Sequence, residues 1–333
     1  MHDIIVIGAG IAGLQCARRL SERGADVLVL DRADRPGGRC ATRSFGRAVA
    51  DYGPLFLHGS DPLFLDAVRA AGAGPALEGW PKKVHGKGRP CQPRAFGRGE
   101  TRYAMAEGVN AFPRTLAQGL PVELRTQVDG IEVGSGIVRV ADMNKRRFES
   151  RGLVLALALE QALPFLTRLG PDRKVDGTLA LLGMFSTVPC LTVIAGYEDG
   201  TEMPAWDIRY PEEDEGVLLV GNETAKRGGE PVLVVQATSR WSRKHLEEPK
   251  EAWAQSLLLQ ASRLLGSWAA TPSWRHPHRW RYARMDGGNE LAAPLVFALR
   301  GSPVGMCGEL FSAEGGVQGA WRSGNALAER LGG

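Results

Sequence analysis

The stretch that most constrains this chain is Gly8-Ala9-Gly10-Ile11-Ala12-Gly13, because of its neighbours on either side. Before it, Ile4-Ile5-Val6-Ile7 is a short apolar run rich in β-branched residues, which reads as a buried strand. After it, Leu14, Ala17 and Leu20 recur at helical spacing until Gly24, so the order is strand, tight turn, helix. Val27 to Leu30 form a second strand, and Asp31 stands at its end, about 20 residues after the glycines as a dinucleotide-binding βαβ unit requires. Gly8 permits the turn, Gly10 lets a pyrophosphate approach the backbone, and Gly13 lets helix and strand pack closely. The phosphates then sit with Ile11 and Ala12 at the helix N-terminus, where unpaired N–H groups and the dipole favour negative charge. Asp31 accepts from ribose hydroxyls, with Arg32 next to it as a further cofactor candidate.

The residues just after Asp31 decide which dinucleotide is bound. Pro36-Gly37-Gly38-Arg39 brings a second glycine pair and a guanidinium near the same phosphates. The pattern resembles the GGR extension of the amine-oxidase-like flavoproteins, which NAD dehydrogenases normally lack, and the resemblance implies non-covalent FAD held in part by Gly38 and Arg39. The chain has no second GxGxxG, so a separate domain for NAD(P)H is not expected. Next comes Asp51-Tyr52-Gly53-Pro54-Leu55-Phe56-Leu57-His58. In those flavoproteins a D-x-G-x-x-x-F stretch passes alongside the isoalloxazine ring, and here the resemblance narrows to the renalase-like proteins. It implies that Tyr52 and Gly53 meet the cofactor and that Leu55, Phe56, Leu57 and His58 face substrate. Pro54-Leu55 stands where that family has Ala-Gln, a loss of one polar group that bears on substrate identity.

From Lys82 to Arg102 seven basic residues, Lys82, Lys83, Lys87, Arg89, Arg94, Arg98 and Arg102, meet a single acid, Glu100. The stretch is either a solvated loop or a reception site for an anionic small molecule such as a dinucleotide. Tyr103, just beyond it, is a further substrate candidate. The helix expected from Gly108 to Ala117 resembles a renalase-family segment, and the resemblance implies that Val128 meets the adenine through its backbone. Residues 130 to 142 read as two strands about the turn Gly134-Ser135-Gly136, and Gly152 to Leu159 as a buried run. From Val175 onward strands are expected without intervening helices: 175–182, 190–195, 217–220 and 232–237. Such a run reads as an antiparallel sheet. It would carry Pro204-Ala205-Trp206-Asp207-Ile208-Arg209 and the Gln236-Ala237-Thr238-Ser239-Arg240-Trp241-Ser242-Arg243-Lys244-His245-Leu246 stretch, both similar to renalase-family segments. Thr178 and Trp241 are candidate substrate contacts, with strand and core roles as their alternatives. Ala252 to Leu265 is an amphipathic helix with Trp253, Leu257, Ala261 and Leu264 on one face. His276-Pro277-His278 reads as a turn and, without a carboxylate or cysteine at ligand spacing, not as a metal site.

The chain closes with a second glycine cluster. Residues 303 to 308 read as a short strand ending in Gly308-Glu309, where GGR flavoproteins normally have G-D, and the resemblance implies that the carboxylate accepts from the ribitol of FAD. Gly315-Gly316-Val317-Gln318-Gly319-Ala320 opens the last helix. The N–H groups of Gly316, Val317 and Gln318 can bond the pyrimidine carbonyl of a flavin, and the dipole favours a reduced, negative ring.

The fold expected is α/β: a discontinuous Rossmann-like FAD-binding domain from 1–65, 106–165 and 290–333, and a second domain from 66–105 and 166–289 built on an antiparallel sheet with helices. The net charge of +4 comes from mostly interspersed charges, which leaves nucleic-acid binding without a stripe of charge. Five cysteines, Cys16, Cys40, Cys91, Cys190 and Cys307, form no CxxC, and free thiols in a reducing, cytoplasmic compartment are the expectation. No apolar run reaches the length of a membrane span. The resemblance implies an oxidase that takes hydride from misreduced isomers of NAD(P)H and passes two electrons to oxygen as hydrogen peroxide. That chemistry needs no acid–base side chain, only position and electrostatics, and no nucleophile motif with a paired base is present. An amine oxidase or desaturase, or a non-enzymatic flavoprotein scaffold, are the alternatives.

Overall fold

A strand buried on both faces must be apolar throughout, and His2–Ile7 is buried from Ile4 onward. It lies in a parallel sheet between Val27–Leu30 and Arg147–Leu155, with Ile5 opposite both Leu28 and Leu153. The computed structural model describes residues 1–72, 74, 76–212, 216–287 and 290–332. Met1–Arg39, Phe112–Thr187 and Arg284–Gly333 make one compact unit; Cys40–Ala111 and Val188–Ala283 make another.

In the first unit the sheet runs Val128–Gly134, Ile137–Asp142, Arg147–Leu155, His2–Ile7, Val27–Leu30 and Val122–Glu123. Ser302–Met306 joins it by pairing parallel to Leu153–Leu155, and Leu295–Leu299 pairs with that strand in turn. The helices Ile11–Glu22 and Gly316–Leu331 pack against each other so closely that a Cβ on Gly324 would collide with the carbonyl of Ala12. Cys16 and Cys307 are buried here; the hydrogen bond to Cys16, together with burial, pushes the Cys307 thiol well up.

The second unit is built on a sheet ordered Trp274–Met285, Thr187–Gly196, Val232–Ala237, Val217–Asn222, Ile208–Arg209 and Val84–His85. Its central pairs are antiparallel, and Lys250–Leu265 packs Trp253, Leu257 and Ala261 into the sheet's core. Two small sheets accompany it, Thr42–Phe45 with Ala48–Asp51, and Leu57–Gly59 with Thr101–Met105 and Ala76–Glu78. No helix among the described residues is long and apolar enough to cross a membrane.

Four sequence expectations are corrected. Residues 175–182 belong to a helix, Arg173–Leu182, started by Asp172, whose side chain accepts from the Lys174 N–H. Val175, Leu179 and Leu182 turn toward the first unit's core; the cap and the i, i+4, i+7 spacing outweigh the strand preference of Val175 and Thr178. Ser239–Lys244 is likewise helical, capped by the Thr238 side chain on the Trp241 N–H, so Trp241 is not in the sheet. Pro204–Asp207 lies outside any strand. His276-Pro277-His278 is strand, not turn, which an edge position permits because proline can donate nothing to a neighbour. Residues 40–65 and 106–111 group with the second unit, and 166–187 and 284–287 with the first; Leu166, Leu169, Val175 and Leu182 bury themselves in the first unit's core.

Candidate functional site

In the first unit the glycine turn is shaped by steric necessity. Gly8 has φ +112°, and a Cβ on Gly13 would collide with the Gly8 carbonyl oxygen. Gly10 differs from both: a Cβ there would meet nothing within 4 Å, so its face is open. The second glycine pair is drawn against the first, with Gly37 N–H donating to the Ala9 carbonyl at 2.8 Å. Asp31 locks the turn, accepting from the Ala9 N–H at 2.6 Å and the Ala33 N–H at 2.8 Å. Ile11–Glu22 begins with no side-chain cap and no acid in its first turn, so its leading N–H groups remain available to an anion. Ile11 and Ala12 are buried there, while Arg32 is exposed.

Gly316–Leu331 begins the same way, without a capping side chain, from Gly315 and Gly316 at φ +61° and +62°. Val317 is half-buried in its first turn. Gln318 is buried and its side chain donates to Glu314 at 2.7 Å. Arg39 pairs with Glu309 at 2.6 Å, and both line a cleft with Leu157, Thr187, Met285 and Gly308. The Gly308 N–H is held by Ser323 at 2.9 Å. Open backbone at Gly10, two uncapped helix starts and the Arg39–Glu309 pair fit FAD, which needs anion donors at one end and hydrogen-bond partners along its length. Gly38 is exposed beside Gly10, Val128 starts its strand half-buried, and Thr178 is half-buried on its helix.

The second unit holds its part of the sequence-predicted site differently. Asp51, at the end of Ala48–Asp51, is fully buried and accepts from Lys226 at 3.0 Å, Arg227 at 2.5 Å, Thr42 at 2.6 Å and the Val109 N–H at 2.9 Å. Glu223 completes the cluster, 2.6 Å from Lys226 and bonded to Arg227. Two carboxylates and two cations thus share one buried site. Burial would push the Asp51 carboxyl up, but Lys226, Arg227 and Thr42 outweigh it and hold it below the usual range. For Glu223 burial wins over the same two cations, with Asp51 adding to the rise.

The cluster also grips the chain after Asp51. Lys226 Nζ donates to the Leu55 carbonyl at 2.8 Å, Gln236 Nε2 to the Gly53 carbonyl at 2.7 Å, and Trp280 Nε1 to the Tyr52 carbonyl at 2.9 Å. Three side chains from separate elements therefore set the backbone of Tyr52–Leu55. Sequence reasoning missed Glu223, Lys226, Gln236 and Trp280 in this role. The Glu-x-x-Lys-Arg spacing from 223 to 227 was visible, but such spacing usually marks a solvated helix face.

The substrate candidates separate. Leu55, Phe56 and Leu57 are core residues; Leu55 occupies the space over Gly221, and Phe56 meets Trp80 and Phe96 edge-on. Tyr103 is buried, its hydroxyl accepting from Arg69 at 2.7 Å and donating to Glu78 at 3.2 Å. Trp241 is core too, stacked on His245 with ring centres 4.0 Å apart. His58 is half-buried and bonded to Glu100 at 2.8 Å, which leaves its other ring nitrogen for a ligand. Burial at these apolar and aromatic positions follows from their fit to the core, which residue type alone does not separate from a substrate wall.

Comparisons with known proteins bear on family and fold. A family model described as flavin containing amine oxidoreductase matches residues 90–332, and one described as NAD(P)-binding Rossmann-like domain matches residues 6–70. The chain is similar to lysine-specific histone demethylase 1 homolog 1 of Arabidopsis thaliana, 47% identical over 62 residues that make 17% of this chain and 7% of that protein. It is also similar to a neurosporene-forming phytoene desaturase of Rhodobacter capsulatus, 46% identical over 63 residues, 19% of this chain and 12% of the other. These matches span only a small part of the relatives' own length. The structure of putrescine oxidase superposes with a TM-score of 0.73 at 15% identity, covering 99% of this chain and 98% of the other. That likeness is one of fold.

Proposed function

The chain belongs to the flavin containing amine oxidoreductase family, whose members are FAD-dependent oxidoreductases, and we propose that it oxidises misreduced dihydro-NAD(P) isomers. When bound, FAD would supply the hydride acceptor for a reaction in which dihydro-NAD(P), oxygen and a proton become NAD(P)+ and hydrogen peroxide. The chain's own residues do the holding. The open face of Gly10 and the helix start at Ile11 and Ala12 would take the pyrophosphate, and Asp31 would offer the ribose the lone pairs its two backbone bonds leave. Val128 would meet the adenine, Arg39 and Glu309 the ribitol, and the N–H groups of Gly316 to Gln318 the pyrimidine edge.

The observation that supports a dinucleotide substrate is the basic loop. Lys82, Lys83, Arg89 and Arg98 are exposed, and none has an ion-pair partner among the described residues. Cations left uncompensated raise the local concentration of an anionic substrate. The test is anaerobic mixing of the oxidised flavoprotein with 2- and 6-dihydro-NAD(P). Loss of flavin absorbance, reversed by air with release of hydrogen peroxide, is the expected result; an unbleached flavin with both isomers rejects it. Amine oxidation is the second reading, favoured by the fold shared with putrescine oxidase. It predicts bleaching by amines instead. A protein that purifies without flavin absorbance would sink both.

A further inference from the structure

Trp274–Met285 is an edge strand whose residues up to Ala283 belong to the second unit. Trp274, His276, His278 and Trp280 occupy alternate positions on it, so the four rings share one face. Phe45 stacks on Trp274 with ring centres 4.6 Å apart, and Tyr52 stacks on Trp280 at 5.5 Å. His278 sits between Tyr52, at 4.8 Å, and Trp280, at 4.1 Å. Every ring in this strip is half-buried, which leaves part of an aromatic surface open.

The charges beside the strip are positive. Arg43 is exposed, donates from Nη1 to His276 Nε2 at 3.1 Å, and has no carboxylate partner among the described residues. Lys250 acts on both imidazoles. Glu251, the acid that acts on His276, is occupied by Arg275 at 3.0 Å. Burial first, then His276, Lys250 and Arg43, lower the His278 pKa to about 4, so its ring is neutral at physiological pH. Neither of its ring nitrogens has a hydrogen-bond partner among the described residues.

An aromatic face flanked by uncompensated cations repels a protonated amine. It suits an uncharged ring that carries an anion. Alternate residues on a strand lie about 7 Å apart, the distance a ribose spans between a base and its 5′-phosphate. We propose that Tyr52, His278 and Trp280 form a stacking subsite for an uncharged planar nitrogen heterocycle, and that Arg43 receives the phosphate this ligand carries. The choice of a dihydronicotinamide as that ring rests on the dihydro-NAD(P) reading above. The subsite gives the second unit a means of telling a nucleotide from an amine.

The test is calorimetric titration of the FAD-loaded protein under anaerobic conditions with reduced nicotinamide mononucleotide in its ordinary 1,4-dihydro form. Dihydronicotinamide riboside, which lacks the phosphate, and benzylamine are the comparison ligands. The mononucleotide should bind and benzylamine should not. Arg43→Gln should weaken the mononucleotide about tenfold, as loss of one charge-assisted hydrogen bond does, and leave the riboside unchanged. Arg43→Lys should keep most of the affinity. Arg43 is exposed, so both variants should melt like the parent. No binding of the mononucleotide, equal binding of benzylamine, or an unchanged affinity in Arg43→Gln would each overturn the subsite. The two readings fail separately. If the dihydro-NAD(P) isomers bleach the flavin but Arg43→Gln binds normally, the subsite falls and the oxidase reading stands. If the mononucleotide binds through Arg43 but no isomer bleaches the flavin, the oxidase reading falls and the subsite stands.

Discussion

The two units shape their candidate sites with different materials. The first uses backbone: Gly8, Gly10 and Gly13 shape a turn, and two helices start without side-chain caps. The second uses side chains: the buried group of Asp51, Glu223, Lys226 and Arg227 grips one segment of chain, and a row of rings lines a neighbouring strand. A backbone site depends on local conformation, which a few glycines specify. A side-chain site depends on residues that meet only after folding, and it places its energy in buried charge, which is costly to disturb.

The sharpest way to break the comparison is to remove one charge from the second unit. Lys226→Met leaves Asp51 and Glu223 sharing Arg227 alone, and should cost about 3–5 kcal/mol of stability in urea unfolding. A loss of under about 1 kcal/mol would show that the cluster is not organising the unit. In the first unit the glycines should divide. Gly13→Ala forces a Cβ onto the Gly8 carbonyl and should destabilise the FAD-free protein by about 1–3 kcal/mol. Gly10→Ala meets open space, so melting of the FAD-free protein should be unchanged while FAD binding weakens. Equal effects of the two on melting would contradict the open face.

Asp31→Ala should weaken FAD retention about tenfold, the worth of one good hydrogen bond to the ribose. Thr178→Ala, on a helix of the same unit, should leave retention unchanged. Equal retention in both would remove the assignment of Asp31. A separate effect is a dependence on pH. His278 has a pKa of about 4 in the folded protein against 6.5 when free, so between those values the unfolded chain binds more protons. The stability linked to it is present above pH 6.5 and lost as pH falls toward 4. In His278→Phe the fall in melting temperature between pH 7 and pH 5 should shrink. An unchanged fall would mean that His278 is not held neutral.

Much of the first unit was legible beforehand. Ile4–Ile7 and Val27–Leu30 read as buried strands and are so; the helices after Gly10 and Gly315 begin where their glycines suggested. Residues 175–182 were misjudged because β-branched Val175 and Thr178 lean toward strand, whereas the cap at Asp172 and the apolar spacing favour helix. His276 and His278 read as punctuation about a proline, although the alternation from Trp274 to Trp280 was a strand pattern. Leu55, Phe56, Leu57 and Tyr103, expected to face substrate, are buried, and Trp241, for which a core role stood beside a substrate role, lies in the core. Nothing local distinguishes an aromatic or aliphatic residue facing a ligand from one facing the core.

The sequence by itself determined that the chain opens with a dinucleotide-binding βαβ unit, that a second glycine pair comes after the acid at its second strand, and that the chain returns to a glycine-led helix at its end. These are statements about local backbone, and a glycine carries its conformational meaning with it. Only the tertiary structure decided that Asp51 is one of four buried ions, that Lys226, Gln236 and Trp280 hold the carbonyls after it, and that Arg43 stands beside the rings of a distant strand. Asp51 and Lys226 lie 175 residues apart, and charge and shape complementarity over such separations exist only once the sheets have assembled.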